Sequence, residues 1–153
     1  TIIVPRHTFR ADEIVEELNR RKIKFHRHSS NNKIQKDTEI YIVDTFGETE
    51  LFMKYCKIVF LGGSLINHGG QNPLEPARLG NYIMHGPNIQ NFKEVYKLLK
   101  NLNISAEVNS VSKMQKTIIK KIGYKQSQVL NQKLFSIGKK IIKKNIFEIN
   151  KFI

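Results

Sequence analysis

The sequence has one cysteine, no tryptophan and four prolines among its 153 residues, and its 13 acidic residues are outnumbered by 26 lysines and arginines. Each shortage excludes something. Cys56 alone cannot close an internal disulfide or build a cysteine-based zinc site, and nothing points to an oxidising compartment. It reads as a small buried apolar residue. No apolar run approaches the roughly 18 residues that a membrane-spanning helix needs, so the chain itself is expected to be soluble. An apolar fraction of 40% with 25% charged residues excludes a disordered or collagen-like chain. There is no internal repeat and no low-complexity tract. What remains is one expected domain over residues 1–153, long enough to bury a real core. The chain opens directly on an apolar β-branched strand, Thr1-Ile2-Ile3-Val4, with no leader, which predicts that it is cut from something longer.

The excess of positive charge is uneven. Residues 1–92 hold 12 Lys and Arg against 10 Asp and Glu, a net of +2; residues 93–153 hold 14 Lys against 3 Glu, a net of +11. Such asymmetry suits a nucleic acid or an anionic membrane surface. From Ser127 onward, however, Val129, Leu130, Leu134, Ile137, Ile141, Ile142, Ile146 and Ile149 recur at three- and four-residue spacing, with lysines between them. The spacing predicts a packed amphipathic helix over about 125–151 with a solvated lysine face.

The rest of the chain reads as strand, turn and helix, repeated. Strands are expected at 1–4, 24–28, 40–43, 58–61, 82–85 and 106–108, and helices near 12–20, 50–55, 73–79, 92–100 and 113–122. Strands separated by helical segments imply right-handed βαβ units. The fold class is α/β, a Rossmann-like, doubly wound parallel sheet with helices on both faces.

In such sheets ligands bind at the carboxyl ends of the strands, and the unusual segments of this sequence fall there. Pro5-Arg6-His7 follows the first strand and Asp44-Thr45-Phe46-Gly47-Glu48 the third. Gly62-Gly63-Ser64 follows the fourth and Gly86-Pro87 the fifth. The stretch from Gly62 to Ala77 is the richest. Its paired glycines let backbone approach a ligand and leave amides free for oxyanions, with a helix start behind them. It is neither a GxGxxG loop nor a Walker P-loop. Asn72, Pro73 and Glu75 also fit a capping box, as do Thr45 and Glu48, and for both glutamates the capping and ligand readings can coexist. Arg6, at the end of a core strand, is poorly explained by packing, and its fork suits phosphate or carboxylate. His26 and His28 share a strand face, but with no carboxylate or cysteine spacing nearby they make no metal site. His7 and His68 read as hydrogen-bonded loop histidines. No Ser-His-Asp or Cys-His arrangement stands out.

Pro5-Arg6-His7 with Arg10-Ala11, Asp44-Thr45-x-Gly47-Glu48, Gly62-Gly63-Ser64-Leu65, Gly69-Gly70-x-Asn72-Pro73-Leu74-Glu75-Pro76-Ala77, and Gly86-Pro87 with Asn91-Phe92 closely resemble, in order, the C-terminal half of 3-deoxy-D-manno-octulosonic acid (Kdo) transferases. The resemblance covers Thr1 to about Leu99. It implies the C-terminal half of a GT-B architecture, in an inverting, metal-independent glycosyltransferase that needs no cofactor. Its donor is CMP-Kdo and its acceptor a lipid A precursor of lipopolysaccharide synthesis, reached through an N-terminal domain at the cytoplasmic face of the bacterial inner membrane. By the same resemblance Pro5, Arg6, Phe46, Gly47, Glu48, Asn72, Pro73, Leu74 and Glu75 look like the CMP contacts. Arg6 would neutralise the phosphate, Glu75 would accept from ribose hydroxyls, and Phe46-Gly47 would border the base. Phe46 and Gln71 depart from the family, where Met and His are frequent at these positions.

The family's general base lies in the N-terminal domain, so this chain is expected to hold no catalytic residue and to be inactive alone. An anionic membrane surface is an expected partner, and nucleic acid is not. Two alternatives stand beside this reading. One is the donor half of another GT-B enzyme using a UDP-sugar; the other is a non-catalytic basic module binding nucleic acid through residues 93–153. The second lacks the aromatic interleaving that stacks bases.

Overall fold

The computed structural model describes residues 1–151. The last two positions of the expected 1–153 domain lie outside the described residues, as do the side chains of Ile141 and Ile149 from the expected apolar stripe. The elements are β1 (Ile2–Ile3), α1 (Arg10–Arg20), β2 (Phe25–Arg27), β3 (Ile40–Ile42), α2 (Thr49–Tyr55), β4 (Ile58–Leu61), α3 (Leu74–Arg78), β5 (Tyr82–His85), α4 (Lys93–Asn101), β6 (Ser105–Glu107), α5 (Val111–Lys121) and α6 (Gln128–Ile149), with a 3-10 turn at Gln90–Phe92. The strands form two parallel three-stranded sheets, in the orders β1-β3-β2 and β4-β5-β6. The chain divides into two compact units, 1–52 and Met53 onward.

In the first unit β3 is central, pairing Ile2 with Tyr41 and Ile3 with Ile42 on one side, and Phe25 with Ile40, His26 with Tyr41 and Arg27 with Ile42 on the other. Side chains alternate along a strand, so Ile40 and Ile42 face one way and Tyr41 the other. The isoleucine face meets α1, whose Ala11, Ile14, Val15 and Leu18 recur at helical spacing, and Ala11, Leu18 and Ile42 are buried there. The opposite face carries rings instead. His26 stacks on Tyr41 at 5.3 Å, while His28 and Phe52 pack around the same tyrosine.

The second unit covers both faces of its sheet with helices. Leu61 and Ile83 pack against Ala77 of α3 and Tyr96 and Leu99 of α4, and Leu130 and Leu134 of α6 join that cluster. On the other face Tyr82 and Met84 meet Met114 of α5 and Tyr124. Each buried aliphatic side chain of this kind contributes about 1.5–3 kcal/mol. Ser110 caps α5, its hydroxyl accepting from the Lys113 N–H at 3.2 Å.

Of the expected apolar stripe, Leu130 and Leu134 pack into the core and Ile137 is half-buried, but other members stand in solvent. Val129, Phe135, Ile142, Ile146 and Phe147 are exposed. Residues advance about 100° each around a helix. Ile142 and Ile146 therefore lie on a second stripe, rotated away from Leu130 and Leu134, with lysines adjoining it.

Candidate functional site

The candidate residues fall into the two units: Pro5, Arg6, Phe46, Gly47 and Glu48 in the first, and Asn72, Pro73, Leu74 and Glu75 in the second. In the first unit Pro5-Arg6 follows β1 and Phe46–Glu48 follows β3. Since β1 and β3 are paired neighbours, both loops leave the same end of one sheet. Arg6 is exposed and has no hydrogen-bond or ion-pair partner among the described residues. Phe46 is 76% exposed, and Gly47 sits at φ +82°, a left-handed conformation that glycine adopts without strain.

Around these loops the structure builds two side-chain networks. Asp44 is the hub of the first. Its carboxylate accepts from the Ser29 N–H at 2.9 Å, the Ser29 hydroxyl at 2.6 Å and Arg27 Nε at 2.8 Å, and Arg27 Nη1 also reaches Asp12 of α1 at 2.7 Å. Burial alone would push the Asp44 carboxyl up, but the hydrogen bonds from Ser29 and Arg27 outweigh it and bring its pKa down to about 2. The network ties α1, the end of β2 and the end of β3 together.

Glu48 is the hub of the second network. Its Oε2 accepts from the Thr45 hydroxyl and lies 3.2 Å from His28 Nε2, while His28 Nδ1 lies 2.6 Å from the Tyr41 hydroxyl. The Thr45 bond is the main influence holding the Glu48 carboxyl below its ordinary range, against partial burial and with help from His28. The capping-box geometry expected for Thr45 and Glu48 is absent. The two side chains bond each other, and Glu48 sits just before α2, its carbonyl accepting from the Phe52 N–H at 3.2 Å. His28 therefore does have a nearby carboxylate, which the sequence reading missed. The two residues are 20 positions apart and meet because β2 and β3 pair in parallel, which no spacing along the chain signals.

In the second unit the glycine-rich loop is knitted to the loop after β5. The Ser64 hydroxyl donates to Leu61 O at 2.6 Å and accepts from the Gly86 N–H at 2.8 Å, and Asn88 N–H reaches Ser64 O at 2.9 Å. A Cβ on Gly86 would lie 2.3 Å from Ser64 O, and one on Gly69 2.3 Å from the Asn91 side chain. Gly69, Gly70 and Gly86 thus serve close packing between two loops. Gly62 and Gly63 are less crowded, with nothing within 4 Å of a Cβ on Gly62.

Beyond that loop Pro73 is buried while Asn72, Leu74 and Glu75 are exposed. Asn72 Oδ1 accepts from the Leu74 N–H at 3.0 Å, which takes up one donor at the start of α3. The expected capping box does not form: Pro73, not Asn72, is the N-cap of α3 and makes no side-chain capping bond, while the Glu75 carboxylate has no partner among the described residues.

His85 is buried, bonded to Gly86 O and packed on Tyr96, and burial lowers its pKa. An open recess of about 580 Å³ in the first unit, bordered by Lys24, His26 and Asp37 among others, includes none of the nine candidate residues. Among the described residues no cluster of His, Cys, Asp or Glu could hold a metal ion, and no helix is long and apolar enough to cross a membrane.

No protein-family model matches the chain. Curated relatives do. Over 111 residues, 72% of the chain, it is 35% identical to the 3-deoxy-D-manno-octulosonic acid transferase of Haemophilus influenzae, and over 122 residues it is 32% identical to that of Rickettsia prowazekii. The chain is homologous to the 3-deoxy-D-manno-octulosonic acid transferases. It spans about a quarter of the length of these relatives, 26% and 25% respectively. Among solved structures, this Kdo transferase homologue matches the C-terminal CMP-Kdo binding domain of WaaA from Acinetobacter baumannii with a TM-score of 0.74 and 27% identity, over 90% of the chain and 71% of that domain. The α/β class expected from the sequence, and its place as the C-terminal half of a GT-B architecture, agree with that match.

Proposed function

We propose that the chain is a donor-binding domain for CMP-Kdo, part of an inverting, metal-independent transferase that delivers Kdo to a lipid A precursor. The observation that carries this reading is the likeness to a CMP-Kdo binding domain over nine-tenths of the chain. Arg6, unpaired at the end of β1, meets the phosphate, and its guanidinium takes the place a metal ion would otherwise fill. Phe46-Gly47 borders the base, Glu48 and Glu75 accept from hydroxyl or amino groups of the nucleoside, and Asn72, Pro73 and Leu74 shape the start of α3 against it. The acceptor and the general base belong to the rest of the enzyme, at the cytoplasmic face of the inner membrane. The exposed apolar residues and lysines of α6 suit its anionic leaflet, at about 1 kcal/mol per well-placed lysine.

Isothermal titration of the chain with CMP and with UDP tests the donor. Binding of CMP at least tenfold tighter than UDP is expected, with Arg6→Ala weakening CMP by tenfold or more. Preference for UDP would transfer the reading to a UDP-sugar enzyme. Measurable Kdo transfer by this chain alone would overturn the assignment of the base elsewhere.

A further inference from the structure

We propose that His28 is a positioning residue that fixes one oxygen of Glu48 so that the other is presented to the donor nucleotide; this rests on the reading of Glu48 as a nucleotide contact. The carboxylate of Glu48 can only accept, so the ring nitrogen facing it, Nε2 at 3.2 Å, carries the hydrogen. In the neutral ring Nδ1 is then an acceptor, and the hydroxyl it meets at 2.6 Å is that of Tyr41. The imidazole thus links the Tyr41 hydroxyl to the Glu48 carboxylate.

The ring cannot easily turn out of this arrangement. Phe52 of α2 meets it edge-on at 5.2 Å and Tyr41 of β3 at 5.7 Å. Glu48 Oε2 receives Thr45 as well, so this oxygen is satisfied twice, whereas Oε1 has no donor among the described residues. A carboxylate held in this way meets an incoming hydroxyl or amino group with little orientation left to lose. The neighbouring charges, Arg27 and Asp44, are committed to each other and to Asp12 and Ser29.

A double-mutant cycle on CMP affinity, read by isothermal titration of the full chain, tests the proposal. His28→Phe keeps a ring in the aromatic cage and removes both nitrogens; it is expected to weaken CMP binding about fivefold, the worth of one ordinary hydrogen bond. His28→Gln, which restores an N–H near the place of Nε2, is expected to recover most of that loss. In a Glu48→Gln background His28→Phe is expected to have no further effect. A merely structural role would make the two losses additive and would deny rescue by Gln, and either result overturns the proposal. Should His28→Phe fail to fold, Tyr41→Phe removes the hydroxyl that sets the tautomer and is expected to weaken binding in the Glu48 background only. If Glu48→Gln alone leaves CMP affinity unchanged, the reading of Glu48 as a contact falls and the proposal with it. If Glu48→Gln weakens binding while His28→Phe does not, Glu48 stands and the positioning role alone is refuted.

Discussion

Replacing Asp44 by Asn tests a carboxylate held by three hydrogen-bond donors. Asp44 is 3% exposed, with three hydrogen-bond donors on its carboxylate, one of them the Arg27 guanidinium. Its pKa falls from an ordinary 3.8 to about 2. At 1.36 kcal/mol per tenfold change in proton affinity, the ionised form therefore contributes about 2 kcal/mol to the folded state. A depressed carboxyl contributes fully above its unfolded value, near 4, and loses that contribution as pH falls toward 2. Urea unfolding followed by far-UV circular dichroism from pH 7 to pH 2.5 reads the difference between the wild type and Asp44→Asn. The gap is expected to be about 2 kcal/mol at pH 7, to hold down to about pH 4, and to shrink below it. Amide exchange at Tyr41 and Val43, whose N–H groups bond across to β1, assigns the loss to the first unit. A gap below about 0.5 kcal/mol at pH 7, the size expected of an exposed ion pair, would refute the reasoning. So would a gap that does not change with pH.

The remaining predictions concern the second unit. Gly86→Ala places a Cβ 2.3 Å from the backbone oxygen of Ser64, so it is expected to cost about 2 kcal/mol or more and to lower the thermal midpoint by several degrees. Gly138 lies inside α6 with nothing within 4 Å of an added Cβ, and Gly138→Ala is expected to stabilise the helix by up to about 1 kcal/mol, read as increased helical ellipticity. Co-sedimentation with liposomes is expected to rise with anionic lipid content and to fall when Ile142 and Ile146 are both replaced by Ser; binding indifferent to lipid charge removes the membrane reading of α6.

Element positions were largely legible in the sequence. β4 and β5 occupy the expected residues, and the other elements fall within a few positions of theirs, because the apolar runs and turn residues that mark them are local signals. The motif clusters were equally legible as loops at strand ends. What was not legible depends on pairing. The Glu48–His28 contact and the Arg27–Asp44 clamp both join the ends of β2 and β3, and no spacing along the chain encodes that meeting. Period alone overstated the packing of α6, because a helical repeat shows which residues share a face and not whether another element covers it.

The motif residues divide into those spent on holding the loops and those left open. In Asp44-Thr45-x-Gly47-Glu48, Asp44 is saturated by three donors, Thr45 is committed to Glu48, and Glu48 keeps only Oε1 uncommitted. In the second unit Gly70 and Gly86 are committed to close backbone contact, Gly69 to the Asn91 side chain and Asn72 to the Leu74 N–H. Among the described motif residues, the guanidinium of Arg6, the ring of Phe46 and Oε1 of Glu48 are left open in the first unit, and the carboxylate of Glu75 in the second. Most of each motif is therefore scaffold. Substitutions at Asp44, Gly69 or Gly86 should show first as lost stability, and substitutions at Arg6 or Glu75 as lost affinity with stability intact.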